Sequence, residues 1–395
     1  MIPSHFADET HSAPGHGRGG KKAGSANKII RVRLIVSGVK MVLIRPVSLA
    51  DLDQLIGLAE QAGVGLTTLP RDRDLLRRRI LKSQRSLENI PERPGGESYL
   101  FVMQDADSEK IVGASGVVSK VGGFEPFYAY RLENQTIDSQ FLKVHKQIPV
   151  LHLVREHDGP AEVGSLFLSP DYRKKDHGRF LQLVRFLFIA EYPQAFEPLV
   201  VSELRGMIDA DGHSAFWDAV GKHFFEIDFP KADYLSVVNK KFIADLMPTH
   251  PIYVPLLPAE AQRVIGKVHE SSIPALKNLQ AEGFTITSMV DIFDAGACVS
   301  CPRDEIRTVR QSHAAVVEQI SDEAIESATY MIGNFAPTFR ATIGPLQIVA
   351  PDRVCVESRI AELLKLTVGS AIRYAALRPA AGSAQSPKSV SNDSN

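Results

Sequence analysis

Four cations crowd one short stretch of this chain, where Arg173, Lys174, Lys175 and Arg179 surround Gly178. The apolar run at 163–168 reads as a strand stopped by Ser169-Pro170, and the apolar residues through Ile189 read as a helix. The cations therefore stand at a helix N-terminus. There the first backbone N–H groups lack intrahelical acceptors and carry the positive end of the macrodipole, which makes a ready anion site. Side-chain charge from Arg173, Lys174 and Arg179 suits a pyrophosphate or a 3′-phosphate better than a lone carboxylate. A phosphorylated ligand and a solvated surface turn are both consistent with these residues. A second candidate is His269. Pro258 followed by Ala261, Val264, Ile265 and Val268 predicts a helix over 259–268 with His269 at its C-terminal end. That end of a helix favours the imidazolium and raises its pKa toward the range of a working proton donor.

The elements that position these residues alternate along the chain. A strand over 42–47 precedes the capping box Ser48-Leu49-Ala50-Asp51, which starts a helix with Leu52, Leu55, Ile56 and Ala59 on one face. Gly63, Gly65 and Pro70 break the chain before a second helix over 72–87, whose run Arg77-Arg78-Arg79 reads as a solvated face. Strand patterns follow over 99–104, 111–121 and 151–155, while 124–150 is aromatic and polar without a clear period and reads as a long excursion near the site. Beyond the central helix come a strand over 199–204, a helix over 214–225 ended near Gly221, a helix over 274–282 closed by Gly283, and a strand over 284–293. Past Asp294 short apolar runs such as 342–348 and 353–356 predict a small β-rich domain. The organisation expected is a disordered extension over 1–40, a main domain over 41–293, a β-rich domain over 294–378 and a disordered tail over 379–395. Gly15 and Gly20-Lys21 have phosphate-loop spacing, but no Ser or Thr follows the lysine and no strand precedes it.

Composition narrows the function classes. With 395 residues, 44% of them hydrophobic, the chain can bury a large core, and a net charge of −1 gives no field to attract nucleic acid or an anionic membrane. A small-molecule task is expected. Three cysteines, Cys298, Cys301 and Cys355, are too few for a disulfide framework and fit a reducing, cytoplasmic setting. Cys298-x-x-Cys301 has no second ligand pair at metal spacing, so free thiols and no metal are expected. No apolar run approaches the ~20 residues that span a bilayer, and 29–39 is interrupted by Arg31 and Arg33.

The stretch Leu166-Phe-Leu-Ser-Pro-Asp-Tyr-Arg-Lys-Lys-Asp-His-Gly178 resembles the coenzyme A signature of the GNAT acyltransferase superfamily. Arg173 and Gly178 are in register, but Asp176 stands where the first glycine belongs. Asp can take a left-handed turn at modest cost. The resemblance implies an α+β fold, a mixed and largely antiparallel sheet flanked by helices. It also implies a late helix carrying a tyrosine acid, a position that Trp217 occupies here. Indole has no useful pKa, so another acid is expected.

More specific stretches are Gly65-Leu-Thr-Thr-Leu-Pro70, Glu203-Leu-Arg-Gly-Met-Ile-Asp209, Val264-Ile-Gly-Lys-Val-His269 and Asp291-Ile-Phe-Asp294. With these the chain resembles the bacterial arginine N-succinyltransferase family over about residues 41–293. The resemblance implies transfer of succinyl from succinyl-CoA, a co-substrate rather than a resident cofactor, to L-arginine. It makes His269 the proton donor and Leu166 a succinyl-CoA contact, with Leu168, Arg173, Lys174, Gly178 and Arg179 along the same ligand. A strand that stops pairing with its neighbour would leave backbone groups near Leu166 free for the pantetheine arm. Glu203, Arg205 and Asp209 are the expected readers of arginine, the carboxylates for its guanidinium and the cation for its α-carboxylate. The family further implies a role in arginine degradation and a homo- or hetero-oligomer.

Overall fold

The structure, a computed structural model, describes residues 40–62, 69–174 and 176–379. The extension through residue 39, the break at Gly63 and Gly65, Lys175 and the tail from residue 380 lie outside the described residues. Strand β1 (Val42–Pro46) enters helix α1 (Leu52–Ala62) through the expected box, in which the Ser48 N–H donates to Asp51 Oδ2 at 2.7 Å. Asp72 caps α2 (Arg73–Glu88) by accepting from the Leu75 N–H at 2.8 Å. Leu55, Leu58, Leu76 and Ile80, at helical spacing, bury one face of both helices against β2 (Ser98–Asp105) and β3 (Ile111–Val118).

Residues 122–158 are not an irregular excursion. They form one long hairpin, β4 (Gly122–Ser139) and β5 (Val144–Asp158), in continuous antiparallel register from Phe127↔Glu156 to Ser139↔Val144. Most of its distal half is exposed, so neither face had to be apolar and the period of two was hidden. Strand β6 (Ala161–Leu168), helix α3 (His177–Glu191) and strand β7 (Leu199–Glu203) follow. The single helix read over 214–225 is two, α4 (Ala215–Ala219) and α5 (Lys222–Phe225). The break falls where the Trp217 ring lies so close to Gly221 that an added Cβ would sit 2.3 Å from it. Then come α6 (Phe229–Val238), α7 (Lys241–Leu246), β8 (Ile252–Tyr253), α8 (Ala259–Val264) and α9 (Ile273–Ala281), the last closed by Gly283 at φ +104°. Strands β9 (Thr285–Val290) and β10 (Ala297–Pro302) and helix α10 (Arg307–Arg310) complete this part.

These strands lie in the order β1-β2-β3-β6-β7-β10-β9-β4-β5-β8, antiparallel throughout except for β6 and β7. Helix α3 is buried on nearly every side, as a helix apolar all round must be. Because β10 pairs with β7, the chain passes residue 294 without leaving the sheet. The last strands are β11 (His313–Ser321), β12 (Thr329–Asn334), β13 (Arg340–Ala350), β14 (Arg353–Glu357) and β15 (Ala371–Ala376), with α11 (Ser358–Leu364) before β15. They pair in the order β12-β15-β11-β14-β13, and β13 pairs again with β12, closing a ring of five around Val317, Ile332, Leu346 and Val356. β13 also meets β1 at Ala341↔Ile44, so ring and sheet are continuous.

One buried ion pair ties the ring to the helices. Arg307 donates twice to Glu282 Oε1, at 2.9 and 2.6 Å, and once to the Ala376 carbonyl at 3.0 Å, while the Thr308 N–H donates to Glu282 Oε2 at 2.8 Å. Both side chains are almost wholly buried. Removing one partner strands a charge in the core, so Glu282→Ala is expected to lower the unfolding free energy by about 3–5 kcal/mol. Urea titration checks this, and a loss below ~1 kcal/mol would mean that desolvation cancels the pair.

Candidate active site

β6 and β7 pair only at Ala161↔Val200 and Glu162↔Val201. Both strands continue past these positions without pairing to each other. A bulge marks the divergence: β3 pairs Ala114 with Phe167 but Gly116 with Gly164, and Ser165 takes φ +55°. Side chains take up carbonyls around the opening. Ser202 Oγ donates to the Val163 carbonyl at 3.0 Å, and buried Arg185 donates to those of Gly116 and Gly164 at 3.2 and 3.0 Å. Burial without a carboxylate partner lowers Arg185 to about 9. Along 163–168 every second set of backbone groups turns from β3 toward the gap, where an extended ligand can lie as a strand. Leu166 sits half-buried in the bulge, whereas the Leu168 side chain belongs to the core.

The gap leads to the N-terminus of α3. Asp176 is the N-cap at φ +69°, the left-handed turn that the missing glycine demands, and its carboxylate pairs with Arg378. Among the described residues no side chain caps α3 and no acidic residue occupies its first turn, so its N-terminal N–H groups suit an anion. Arg173 and Lys174 are exposed beside it, with Arg173 Nε donating to the Leu168 carbonyl at 3.0 Å. Gly178 has no structural need to be glycine, since an added Cβ would meet only Leu168 at 3.8 Å. Arg179 differs from expectation. Its Nε donates to the Leu377 carbonyl at 3.2 Å and its Nη1 to Asn278 Oδ1 at 3.0 Å, so it joins α3 to α9 and the C-terminal segment.

A cleft of about 530 Å³ opens where β6 and β7 part. Glu162, Glu203 and Asp291 line it. Burial pushes all three carboxyls up from the ordinary carboxylate range, and Glu203, beside Asp291 and Glu162, stands well above it. Asp294 behind them is also raised well above, by burial and by Asp291. It accepts from the Gly206 N–H at 2.7 Å and the Gly296 N–H at 2.8 Å. Glycine is required at 206, where an added Cβ would fall 2.5 Å from the Asp294 carbonyl oxygen. Cations line the same cleft: Arg78, Arg79 and Lys82 from α2, and Lys240 after α6. The arginine run of α2 is thus not uniformly solvated. Arg77 and Arg78 are exposed, but Arg79 turns inward and its Nη2 donates to Ser165 Oγ at 2.6 Å.

His269 stands between α8 and α9 rather than at a helix C-terminus. Helix α8 ends at Val264, Gly266 follows at φ +71°, and His269 is the N-cap of the short turn Glu270–Ser272. Its pKa is accordingly lowered from the usual 6.5, by burial and then by Arg205, the reverse of the expected rise. Nδ1 lies 2.8 Å from Ser271 Oγ and accepts from the Ser271 N–H at 3.2 Å. The backbone is fixed by the His269 N–H donating to the Arg205 carbonyl at 2.8 Å. It is fixed again through α9, where Gln182 of α3 donates to the Ala275 carbonyl and accepts from Asn278, both at 2.9 Å.

His269 does not itself line the cleft; Arg205 connects the two. Arg205 acts on His269, and its own charge is supported by Asp294 and by Asp233, a cleft residue. Its Nε is buried with no hydrogen-bond partner among the described residues. Asp209 lies elsewhere. It is exposed and closes its own turn by accepting the His213 N–H at 2.8 Å, and Asp209, Asp211 and His213 form an exposed group with ligand atoms within 4.8 Å of one another. Trp217 is a core residue whose indole N–H donates to the Ile227 carbonyl at 2.9 Å. The cysteines are buried free thiols on strands, with burial raising all three and Cys301 to about 12. Sequence reasoning missed Glu162, Asp291 and Arg79 as cleft residues. Glu162 could have been found as the one charge in an otherwise uncharged strand pattern.

A parallel strand pair opened by a bulge, inside a largely antiparallel sheet and ahead of an uncapped helix N-terminus, is the architecture of a GNAT-type acyltransferase. The family described as "Arginine N-succinyltransferase beta subunit" matches residues 42–308, and its C-terminal domain matches 313–376. "Arginine N-succinyltransferase subunit beta" of Pseudomonas aeruginosa is 41% identical over 333 residues, 84% of this chain and 97% of that one. "Arginine N-succinyltransferase" of Yersinia pestis is 40% identical over 346 residues, 85% and 98% of the two chains. The solved arginine/ornithine succinyltransferase subunit AI from Pseudomonas aeruginosa superposes with a TM-score of 0.79 at 33% identity, covering 86% of this chain and all of the other. The chain belongs to the arginine N-succinyltransferase family.

The raised carboxyls have a consequence for stability. Above the ordinary value of 4.5 the folded protein keeps a proton on Glu203 that the unfolded chain has released, so stability falls as pH rises through that window. Glu203→Gln is expected to raise the melting temperature of the ligand-free protein at about pH 8 and to leave it nearly unchanged at about pH 4. Equal shifts at both pH values would exclude titration of Glu203 as the cause.

Proposed function

We propose that this protein transfers the succinyl group of succinyl-CoA to the α-amine of L-arginine, giving N2-succinylarginine and coenzyme A, as a cytoplasmic step of arginine degradation. The observation that carries the proposal is the anionic group Glu162, Glu203 and Asp291, half-buried where a bulge parts β6 from β7. A guanidinium offers five donors in a plane and suits several carboxylates at once. Arg205, with its unpartnered Nε beside His269, suits the α-carboxylate, which brings the α-amine to the histidine. Pyrophosphate binds at the N-terminus of α3 with Arg173 and Lys174, pantetheine follows β6 past Leu166, and backbone N–H groups of the bulge face the thioester oxygen.

The nucleophilic amine attacks the thioester carbonyl, forming the C–N bond and expelling the thiolate. His269, neutral near pH 7 because its pKa is lowered, accepts the proton that the nitrogen must lose and delivers it to sulfur. The proton-donor role implied by the family and the lowered pKa are therefore compatible. The description of the solved relative as arginine/ornithine succinyltransferase favours ornithine as a second acceptor, and the word subunit in the names of relatives supports work within an oligomer.

The test is thiol release from succinyl-CoA with arginine, with ornithine and with no acceptor. Arginine-dependent release is expected, and silence with both amines despite coenzyme A binding would leave only an acyl-CoA-binding module. His269→Ala is expected to lower kcat about 10²- to 10⁴-fold with little change in KM, and an unchanged kcat would remove it from catalysis. In kcat profiles at saturating arginine, the ionisation that disappears in His269→Ala is expected to lie below 6.5, and one at or above that value would contradict the position of His269.

A further inference from the structure

Beyond the acceptor, the same cleft carries a feature that neither coenzyme A nor arginine uses. Arg79 and Lys82 lie one helical turn apart on α2 and both line the cleft. Burial lowers both, Arg79 to about 10, and Lys82 is lowered further by Arg79 while Glu97 raises it. Glu162 supports Arg79 electrostatically, but neither cation makes an ion pair within 4.0 Å among the described residues. Among the described residues, the one side-chain hydrogen bond of Arg79 runs from Nη2 to Ser165 Oγ, and its Nε is buried without a partner. Arg79, half-buried with a spare donor, and the exposed Lys82 beside it suit an anion from outside the chain.

The position selects the anion. Ser165 is the bulge residue directly before Leu166, so the Arg79 guanidinium lies within one hydrogen bond of the strand that would carry the acyl thioester. The far carboxylate of a four-carbon dicarboxylic monothioester reaches a few ångströms beyond its carbonyl carbon. We infer that Arg79, assisted by Lys82, binds the free carboxylate of the acyl donor and so sets the preference for a dicarboxylic over a neutral acyl-CoA. The cleft is then divided by charge, α2 reading the donor and the carboxylates of β6, β7 and the segment after β9 reading the acceptor. This rests on the acyl-transfer function proposed above.

The test compares succinyl-CoA with uncharged butyryl-CoA in wild type, Arg79→Gln and Arg79→Lys, using the full chain. In Arg79→Gln the ratio of kcat/KM for succinyl-CoA to that for butyryl-CoA should fall about 10- to 100-fold, the value of one charged hydrogen-bonded contact, and Arg79→Lys should recover part of it. Equal losses with both donors would make Arg79 only a prop for the bulge. A raised KM for arginine with an unchanged donor ratio would give its charge to the acceptor instead. Either result overturns the inference. Equilibrium binding of the two acyl-CoAs to the same proteins separates it from the function. Wild type that binds succinyl-CoA more tightly, loses that preference in Arg79→Gln and never transfers the acyl group would refute the function and keep the site.

Discussion

The structure depends on the parting of two central strands. Parallel neighbours inside a sheet normally satisfy each other's backbone along their whole length, and a buried peptide group left without a partner costs as much as a lost hydrogen bond. β6 and β7 give up that pairing after Glu162 and Val201. The opening survives because specific groups support it. Ser202 and Arg185 hold carbonyls beside it, Arg79 reaches the bulge through Ser165, and α3 packs beneath it. A guanidinium is a costly thing to bury without a counter-ion. Its presence under the bulge marks this distortion as something the fold maintains.

The acceptor side shows the same logic in carboxylates. Asp291, Asp294, Glu203 and Glu162 are gathered where β6, β7 and the β9–β10 turn meet, and each is pushed toward its protonated form. Burial is the main cause, and Lys240 and Arg79 offset it only in part. A guanidinium entering the group favours the charged carboxylates, so its binding is coupled to their loss of protons.

Much of this was legible in the chain itself. Strand, basic turn and buried helix at 163–189 could be read because an all-apolar helix, a Ser-Pro stop and a glycine-bearing turn are local signals, and Gly283 closes α9 as its sequence context implied. The long hairpin was not legible, because a ribbon exposed on both faces carries no alternation. His269 was found but misplaced. Ala261, Val264, Ile265 and Val268 keep helical spacing, yet Gly266 in a left-handed turn ends the helix early, so burial and Arg205 rather than a helix C-terminus act on the imidazole. Arg79 was hidden in a run of three arginines, since only tertiary packing decides which of them turns inward. Asp209 failed for the opposite reason, its carboxylate being spent on its own turn.

The three cysteines take on another meaning in a protein that turns over a thioester and releases a free thiol. An exposed thiolate here would invite transthioesterification, taking the acyl group onto the enzyme and releasing coenzyme A before any amine is acylated. Cys298, Cys301 and Cys355 are buried within strands, and burial holds each thiol protonated far above neutral pH. Only the thiolate attacks sulfur or carbonyl centres. The protein thus keeps its own sulfur chemically silent beside a substrate and a product that both react through sulfur.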